Sequence, residues 1–304
     1  MPRFSIVIPA FNADNTLADT LDSLEHQTLT DWEALIVDDG STDATRVIAE
    51  AAAGRDRRIR VIDNPAKGPS AARNLALTET TGEIIAFLDA DDVWAPRKLE
   101  IMAQIFRNAG IDAAFSRIAF FDEAGTRTVS SLPGGHVTVP MLLGENPVCT
   151  MSNLAVRRAA FAATGGFDTR LVHNEDLEWL IRLVATGNRL VPVAETLVYY
   201  RTSPTGLSAD LAAMSRGREA AVATALRHGF RTSARAEAIH LRYLARRALR
   251  TDAPPRETLR LALAGAWTSP AGFFSDLRRG VMTLAGALAA QILPRRTRRA
   301  LFSH

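Results

Sequence analysis

The chain has 304 residues, 47% of them hydrophobic and 23% charged, with a formal net charge of +3 at pH 7. That length holds one large domain or two smaller ones, and the hydrophobic content is ordinary for a globular protein. The single cysteine, Cys149, excludes an intramolecular disulfide and suits a reducing compartment, and no apolar stretch is long enough for a membrane span.

The chain enters an apolar strand pattern at once, Phe4 to Ile8, with no basic leader before it, so no signal peptide is expected. The strand ends at Pro9. A helix is expected next, capped by Asp14 or Asn15, with Leu17, Leu21 and Leu24 at helical spacing. Glu33 to Val37 predicts a second strand, ending in Asp38-Asp39-Gly40-Ser41. Asp43 then opens a helix expected to bury Val47, Ile48 and Ala51. Ile59 to Ile62 predicts a third strand, Gly68-Pro69-Ser70 a loop, and Ala71 to Thr78 a helix carrying Arg73 and Asn74. The fourth strand is Ile84 to Leu88. Strands alternating with helices in this way imply a mostly parallel α/β sheet with helices on both faces.

The fourth strand breaks into Asp89-Ala90-Asp91-Asp92. Clustered carboxylates at the end of a buried strand are costly unless something positive sits there. They suit a hard divalent cation, which in turn suits a diphosphate. The plain alternative is a solvated acidic turn that caps the helix near Pro96, and these residues alone leave both open. In parallel sheets, ligands bind beyond the carboxyl ends of the strands. Pro9 to Asn12, Asp38-Asp39 and Asp89 to Asp92 share that edge.

Farther on, Leu99, Met102, Ile105 and Phe106 mark a helix, and Ala113 to Phe121 a strand turning at Asp122 to Gly125. Residues 126–150 read as a proline-rich loop with a short helix. Asn153 to Val156 reads as a strand, and Gly165-Gly166-Phe167-Asp168 as a turn. Asn174-Glu175-Asp176 opens a helix with Leu177, Leu180, Ile181 and Val184 as its stripe, where acids are also favoured by the helix dipole. Val191 to Tyr200 predicts a strand.

The charge is uneven. Residues 201–304 hold 18 arginines against 6 acids, a balance of +12, and residues 1–200 sum to −9. From Ser208 the pattern is helical and arginine-rich, broken at Pro254-Pro255 and at Ser269-Pro270. Residues 273–293 are mostly apolar or small and are bounded by Arg278-Arg279 and by Arg295-Arg296 with Arg298-Arg299. Two readings stand for that segment: a membrane-surface amphipathic helix, or a helix packed on the rest of the protein or on another subunit. Nucleic acid is not expected, since the basic half has no aromatic interleaving, zinc ligands or reader motif.

Seven motifs in order resemble the family 2 glycosyltransferases, inverting nucleotide-sugar enzymes of the Rossmann-like GT-A fold. They are Phe4-Ser5-Ile6-Val7-Ile8-Pro9-Ala10-Phe11-Asn12, Gln27-Thr28, Val37-Asp38-Asp39-Gly40-Ser41-Thr42-Asp43, Gly68-Pro69-Ser70-Ala71-Ala72-Arg73-Asn74, Phe87-Leu88-Asp89-Ala90-Asp91-Asp92, Gly165-Gly166-Phe167-Asp168 and Glu175-Asp176. The resemblance spans about residues 4–202. It implies a transferase domain over 1–207, with 1–112 for the nucleotide and 113–207 for the acceptor. Residues 208–304 are a helical basic region without a counterpart.

By that resemblance Pro9, Ala10 and Phe11 line the base and ribose, Asp39 hydrogen-bonds the base, and Arg73 approaches the diphosphate. Asp89, Ala90 and Asp91 form the DxD motif, with Asp91 the ligand of a Mn²⁺ or Mg²⁺ ion and Asp89 nearer the ribose. Asp176 is the general base, and Glu175 and Arg201 are acceptor or diphosphate contacts. In Tyr199-Tyr200-Arg201-Thr202-Ser203, serine stands where the family often has histidine. The Gln-x-x-Arg-Trp motif of processive members is absent, which implies addition of one sugar. The implied activity is transfer from a nucleotide-diphosphate sugar, UDP-sugar first, to a glycan or lipid-linked acceptor in surface polysaccharide synthesis, in the cytoplasm or peripherally on an anionic membrane. A catalytically silent nucleotide-sugar scaffold is the alternative. A nucleotidyltransferase is disfavoured by the lack of glycine or basic residues in Ala10 to Thr16, and a dinucleotide-binding dehydrogenase by the lack of a glycine fingerprint after the first strand.

Overall fold

The computed structural model describes residues 2–122, 125–202 and 211–302. Ser203, the helical onset at Ser208 and the middle of the turn expected at Asp122 to Gly125 lie outside the described residues. Two compact units emerge: Met1–Val137 with Pro147–Thr202, and Thr138–Asn146 with Ser203–His304.

In chain order the elements are β1 (Phe4–Ala10), α1 (Leu17–Glu25), β2 (Trp32–Asp38), α2 (Thr45–Arg55), β3 (Ile59–Asp63), α3 (Pro69–Thr78), β4 (Ile84–Phe87), β5 (Val93–Trp94), α4 (Lys98–Ile105), β6 (Ala113–Asp122), β7 (Gly125–Val129) and α5 (Val139–Gly144). There follow β8 (Leu154–Arg157), α6 (Arg158–Thr164), α7 (Glu175–Ala185) and β9 (Leu190–Arg201), then α8 (Leu211–Arg227), α9 (Ala234–Arg250), α10 (Pro255–Thr268), α11 (Pro270–Phe273), α12 (Leu277–Ala289) and α13 (Arg295–Phe302).

The first unit is one sheet of order β3-β2-β1-β4-β8-β6-β9-β5, with β7 added on β6. β3, β2, β1 and β4 are parallel, as the alternation of strands and helices implies. β8 then runs antiparallel to both β4 and β6, and β5 antiparallel to β9, so the sheet is mixed. β5 leaves the end of β4 to pair with β9 at the far edge, and the neighbour of β4 is β8, which returns after α4, β6, β7 and α5. Alternate residues of β1 face opposite sides. Phe4, Ile6 and Ile8 join Leu17, Leu21 and Leu24 of α1 and Leu99 and Met102 of α4. Beyond β4, an aromatic cluster of Phe87, Phe161, Phe167 and Trp179 joins α6 and α7 to the sheet.

Three local expectations change. Neither Asp14 nor Asn15 caps α1; Thr16 holds that position, and its hydroxyl instead donates to the Ala90 carbonyl at 2.9 Å. In α2, Thr45, Ala49 and Ala52 face inward, while Val47 and Ala51 are exposed. Residues 273–293 are not one helix, because Asp276 caps a fresh start by accepting from Arg279 N–H, and α12 ends before Pro294.

The second unit is helical and is centred on α9. Ala238, Leu244, Ala245 and Ala248 pack with Leu261 and Ala262 of α10, Phe273, and Ala287 of α12. Its arginines are partly neutralised from within. Asp252 accepts from Arg295, Arg298 and Arg299 at 2.7, 3.1 and 3.0 Å, tying α13 to the α9–α10 loop. Glu145 lies 3.7–3.8 Å from Arg242, Arg246 and Arg279.

Candidate active site

Register explains how distant residues meet at the end of β4. Ala86 pairs with Ala155 in antiparallel β8, so the residues before β8 lie beside those after β4. Thr150 therefore donates to Asp89 Oδ2 at 2.9 Å, and Asp89 N–H donates to Ser152 Oγ at 2.9 Å. Likewise Val93 pairs with Tyr199, which sets Arg201 beside the acids. Arg201 N–H donates to Asp92 Oδ1 at 3.0 Å, and its guanidinium donates to Asp91 O at 3.0 Å and to Asp19 at 2.9 Å.

Arg73 is the hub. It is buried in α3, with one terminal nitrogen 2.8 Å from Asp89 Oδ1 and the other 3.1 Å from Glu175 Oε1. Its Nε has no hydrogen-bond partner among the described residues. The adjacent Asn74 fastens the Gly165-Gly166-Phe167 turn, donating to Phe167 O at 2.9 Å and accepting from Phe167 N–H at 2.8 Å. A Cβ on Gly166 would sit 2.6 Å from Asn74 Oδ1, which explains why glycine stands there. Thus the Arg-Asn pair in α3 orients both the strand-end acid and the turn that leads to α7. Asn174 enters α7 with φ +59°, a left-handed conformation that asparagine tolerates.

The acids sit in a strained electrostatic setting. Burial, then the charge of Asp89, pushes the Asp91 carboxyl up to about 6. Asp92 is fully buried and is raised well above the ordinary range by burial and then by Asp91 and Asp89. Burial, then the charge of Glu175, pushes Asp176 up to about 7. Beneath them Lys98 is fully buried, 5.0 Å from the Trp94 ring, and burial lowers its ammonium to about 7 against the raising charge of Asp92.

Asp39 belongs to a second cluster at the ends of β1 and β2. Its backbone N–H donates to Ala10 O at 2.8 Å. Its carboxylate accepts from Asn64 at 2.6 Å and from Gly68 N–H at 2.9 Å. Gly68 holds φ +90°, open to glycine at little cost, and Pro69 starts α3 behind it. Pro9 is half-buried, Ala10 buried, and Phe11 is 58% exposed at the strand end. The strand-end Thr16–Ala90 bond ties the loop after β1 to the acidic turn. Gln27 and Thr28 have structural roles: Gln27 bonds Ala95 O and Leu99 N–H, and Thr28 N–H bonds Pro96 O.

Arg73, Asp89 and Glu175 therefore form one bonded network, with Asp176 next to Glu175 and within its electrostatic field, and Asp91, Asp92 and Arg201 form a second one. Thr150, Ser152, Asn64 and Lys98 also belong to these clusters, unmarked by the motifs; the polar residues among Thr150 to Asn153 are a sequence signal for the first two, and Asn64 and Lys98 have none. A groove of about 520 Å³ is lined by Asp19, His26, Trp94, Phe121 and Arg201 among others, and the candidate acids lie outside its walls.

Over residues 5–165 the chain matches the family described as glycosyl transferase family 2. WfgD of Escherichia coli, named a UDP-Glc:alpha-D-GlcNAc-diphosphoundecaprenol beta-1,3-glucosyltransferase, is 43% identical over 210 residues, 68% of this chain and 79% of that protein. AmsB of Erwinia amylovora, named an amylovoran biosynthesis glycosyltransferase, is 29% identical over 208 residues, 65% of this chain and 69% of that one. The mannosyltransferase PcManGT from Pyrobaculum calidifontis, solved with GDP-Man and Mn²⁺, has a TM-score of 0.62 at 19% identity, covering 99% of this chain and 84% of that one. TarS 1–349 of S. aureus, solved with UDP-GlcNAc, has a TM-score of 0.58 at 20% identity, covering 97% and 82%. At such identities these structures share the fold, which is the GT-A glycosyltransferase fold expected from the motifs.

Proposed function

The chain belongs to glycosyl transferase family 2 and is a glycosyl-transfer enzyme; from that premise we propose that it adds one sugar, with inversion, from a nucleotide-diphosphate sugar to a hydroxyl of a lipid-linked or glycan acceptor. UDP is the proposed carrier and surface polysaccharide the proposed product class. The names of WfgD and AmsB support that class. Residues 1–112 would hold the donor and 113–207 the acceptor.

The observation that carries the reading is Asp176. It stands in the first turn of α7 beside Glu175, which Arg73 joins to Asp89, and burial, then the charge of Glu175, raises its carboxyl to about 7. A base poised near neutrality can take a hydroxyl proton and later release it. In the proposed step the acceptor oxygen attacks the anomeric carbon and its proton passes to Asp176. The bond from that carbon to the diphosphate oxygen breaks, and the nucleotide diphosphate leaves with the electron pair. Attack from the face opposite the leaving group inverts the centre. Arg73, fixed by two carboxylates, holds Asp89 and Glu175 in place. Phe11 offers an exposed ring to the base, and Asp39, held by Asn64 and Gly68, an acceptor-only group.

A divalent metal fits the donor set on one condition. Among the described residues no three His, Cys, Asp or Glu groups gather closely enough to hold an ion by themselves. Asp91 nevertheless stands exposed just after β4, with the carboxylates of Asp89 and Asp92 next to it in the chain, where a cation can reach it. Mg²⁺ and Mn²⁺ sites of that kind use one or two carboxylates and complete their shell with substrate phosphates and water. Asp91, with Asp89 near it, would hold such an ion, which supplies charge compensation to the departing diphosphate.

The acceptor is placed at an anionic membrane surface on the cytoplasmic side. No helix among the described residues is long and apolar enough to cross a membrane, and the proposed association is with the membrane surface, a reading that the arginine excess of residues 201–304 supports. The test of the transferase reading is calorimetric titration with UDP, GDP and dTDP, each with and without Mn²⁺. Metal-dependent binding of one nucleotide is the expected outcome. Failure of all three with folded protein would overturn the reading in favour of a silent scaffold.

A further inference from the structure

The second unit holds a helix built inside out. The inward face of α12 is Gly280, Thr283, Gly286 and Ala287, all buried. A Cβ on Gly280 would lie 2.8 Å from Phe273 O, and one on Gly286 would lie 3.1 Å from Leu249 Cδ1. Only a face of small residues approaches its neighbours so closely. Except for Leu284, which packs partly on the core, the large apolar residues are turned the other way. Leu277, Val281, Ala285 and Leu288 recur at helical spacing on the outward side, continued by Ile292, with Met282 beside them. Leu277 is 68% exposed, Met282 66% and Ile292 85%. Scattered exposed leucines need no explanation, but a stripe along a whole helix face marks a surface that something covers.

The surrounding charge says what. The unit formed by residues 138–146 and 203–304 carries 17 arginines against seven acids. Although Asp252 occupies Arg295, Arg298 and Arg299, Arg278 and Arg296 are exposed and have no carboxylate partner among the described residues. Arg278 stands on α12 itself, next to Leu277. Two copies meeting through this face would bring like charges together. An anionic bilayer instead accepts the apolar stripe below its headgroups and the arginines at them.

We propose that the outward face of α12, Leu277 to Leu288 with Met282 and Ile292, is a membrane-docking face that lies in the boundary of an anionic lipid surface, with Arg278 and Arg296 against the headgroups. This deepens the membrane placement of the acceptor given above. It makes the apolar stripe, and not the arginine excess alone, the part that anchors.

The test is flotation of the full chain with phosphatidylcholine vesicles, with and without phosphatidylglycerol, at low and high salt. Nucleotide titration of each variant reports folding and tests the transferase reading separately, since flotation needs no turnover. The unaltered chain should float with phosphatidylglycerol vesicles and not with phosphatidylcholine alone. Leu277→Ser, Met282→Ser and Ile292→Ser together should lower partitioning at least about tenfold, because that removes most of the inserting apolar area. Arg278→Gln with Arg296→Gln should lower it by roughly fivefold for each arginine at low salt, and by less at high salt. The proposal is overturned if the triple serine variant floats within about twofold of the parent, where insertion predicts a large loss. It is also overturned if the unaltered chain is a dimer that this variant dissociates, which would make a second copy the occupant.

Discussion

Helices α7 and α12 are both amphipathic, and they use their large residues in opposite directions. α7 buries Leu177, Trp179, Leu180, Ile181 and Leu183. Trp179 stacks on Phe161 at 4.9 Å between ring centroids and donates its indole N–H to Gly165 O at 2.8 Å. That foundation holds the first turn, with Glu175 and Asp176, in one place. α12 buries glycines, a threonine and an alanine, and shows Leu277, Leu288 and Met282 to the outside, while Leu284 packs partly on the core. Amphipathic periodicity alone says only that two faces differ. Which face turns inward follows from the size of the residues opposite the large ones. Alongside its apolar stripe α7 carries charged residues that are covered in pairs, Glu175 with Arg73 and Glu178 with Arg182, whereas α12 has small residues that pack closely.

The largest expected effect lies at the start of α7. Asp176→Asn should lower turnover by roughly 10²–10⁴ while changing nucleotide affinity by less than about threefold. Single-turnover rates and calorimetry on the same preparation read both. A parallel loss of nucleotide binding would make the first turn of α7 a structural feature, and the contrast with α12 would then lose its functional side. Next come paired stability measurements. Trp179→Ala should cost about 3–5 kcal/mol of unfolding free energy, since it opens a cavity in the aromatic cluster. Met282→Ala should stay within about 0.5 kcal/mol by the same denaturant titration. Equal costs would mean that α12 is covered within the protein and would break the comparison.

Much of the first unit was legible in sequence because its physics is local. Alternating strands and helices gave β1 to β4, and acids after β2 and β4 marked the edge where the candidate site residues gather. Gly68-Pro69 announced the turn into α3. What escaped depends on register. Nothing near Thr150 or Ser152 reveals that they meet Asp89; only the antiparallel pairing of β8 with β4 does. Arg73 could be assigned to a charged ligand site by resemblance, but not its clamp between Asp89 and Glu175, which are 16 and 102 residues away. Lys98, at the start of α4, is wholly buried, which nothing in the residues around it signals. The capping of α1 and the inward face of α2 differ from the helical pattern because Thr16, Thr45 and Asp43 bond to neighbouring loops. The one continuous segment expected over 273–293 missed the Asp276 cap, a signal present in the sequence but outweighed by its apolar composition.

The smallest effect concerns pH, and it joins stability to catalysis at one carboxyl. In the folded state Asp176 is raised to about 7, by burial first and Glu175 second, whereas an aspartate in an unfolded chain titrates near 3.9. A group raised in this way favours the fold while protonated. Its contribution is fully present below the unfolded value and is lost as pH climbs through about 7. Asp176→Asn stays neutral throughout, so it should match the parent in acid and exceed it above neutrality. Because Asp176 is only partly shielded, the gain should be about 1 kcal/mol, a rise of roughly 2–4 °C in Tm. In the unaltered enzyme, kcat/KM should climb about tenfold per pH unit on the acid side and level off above about 7, where the base is ionised. Met282→Ala, which touches no titratable group of the site, should show neither trend. If the stability gain of Asp176→Asn were the same in acid and in alkali, burial of a charge would not be its cause. The raised carboxyl would then cease to explain why α7, and not a helix like α12, carries the proposed base.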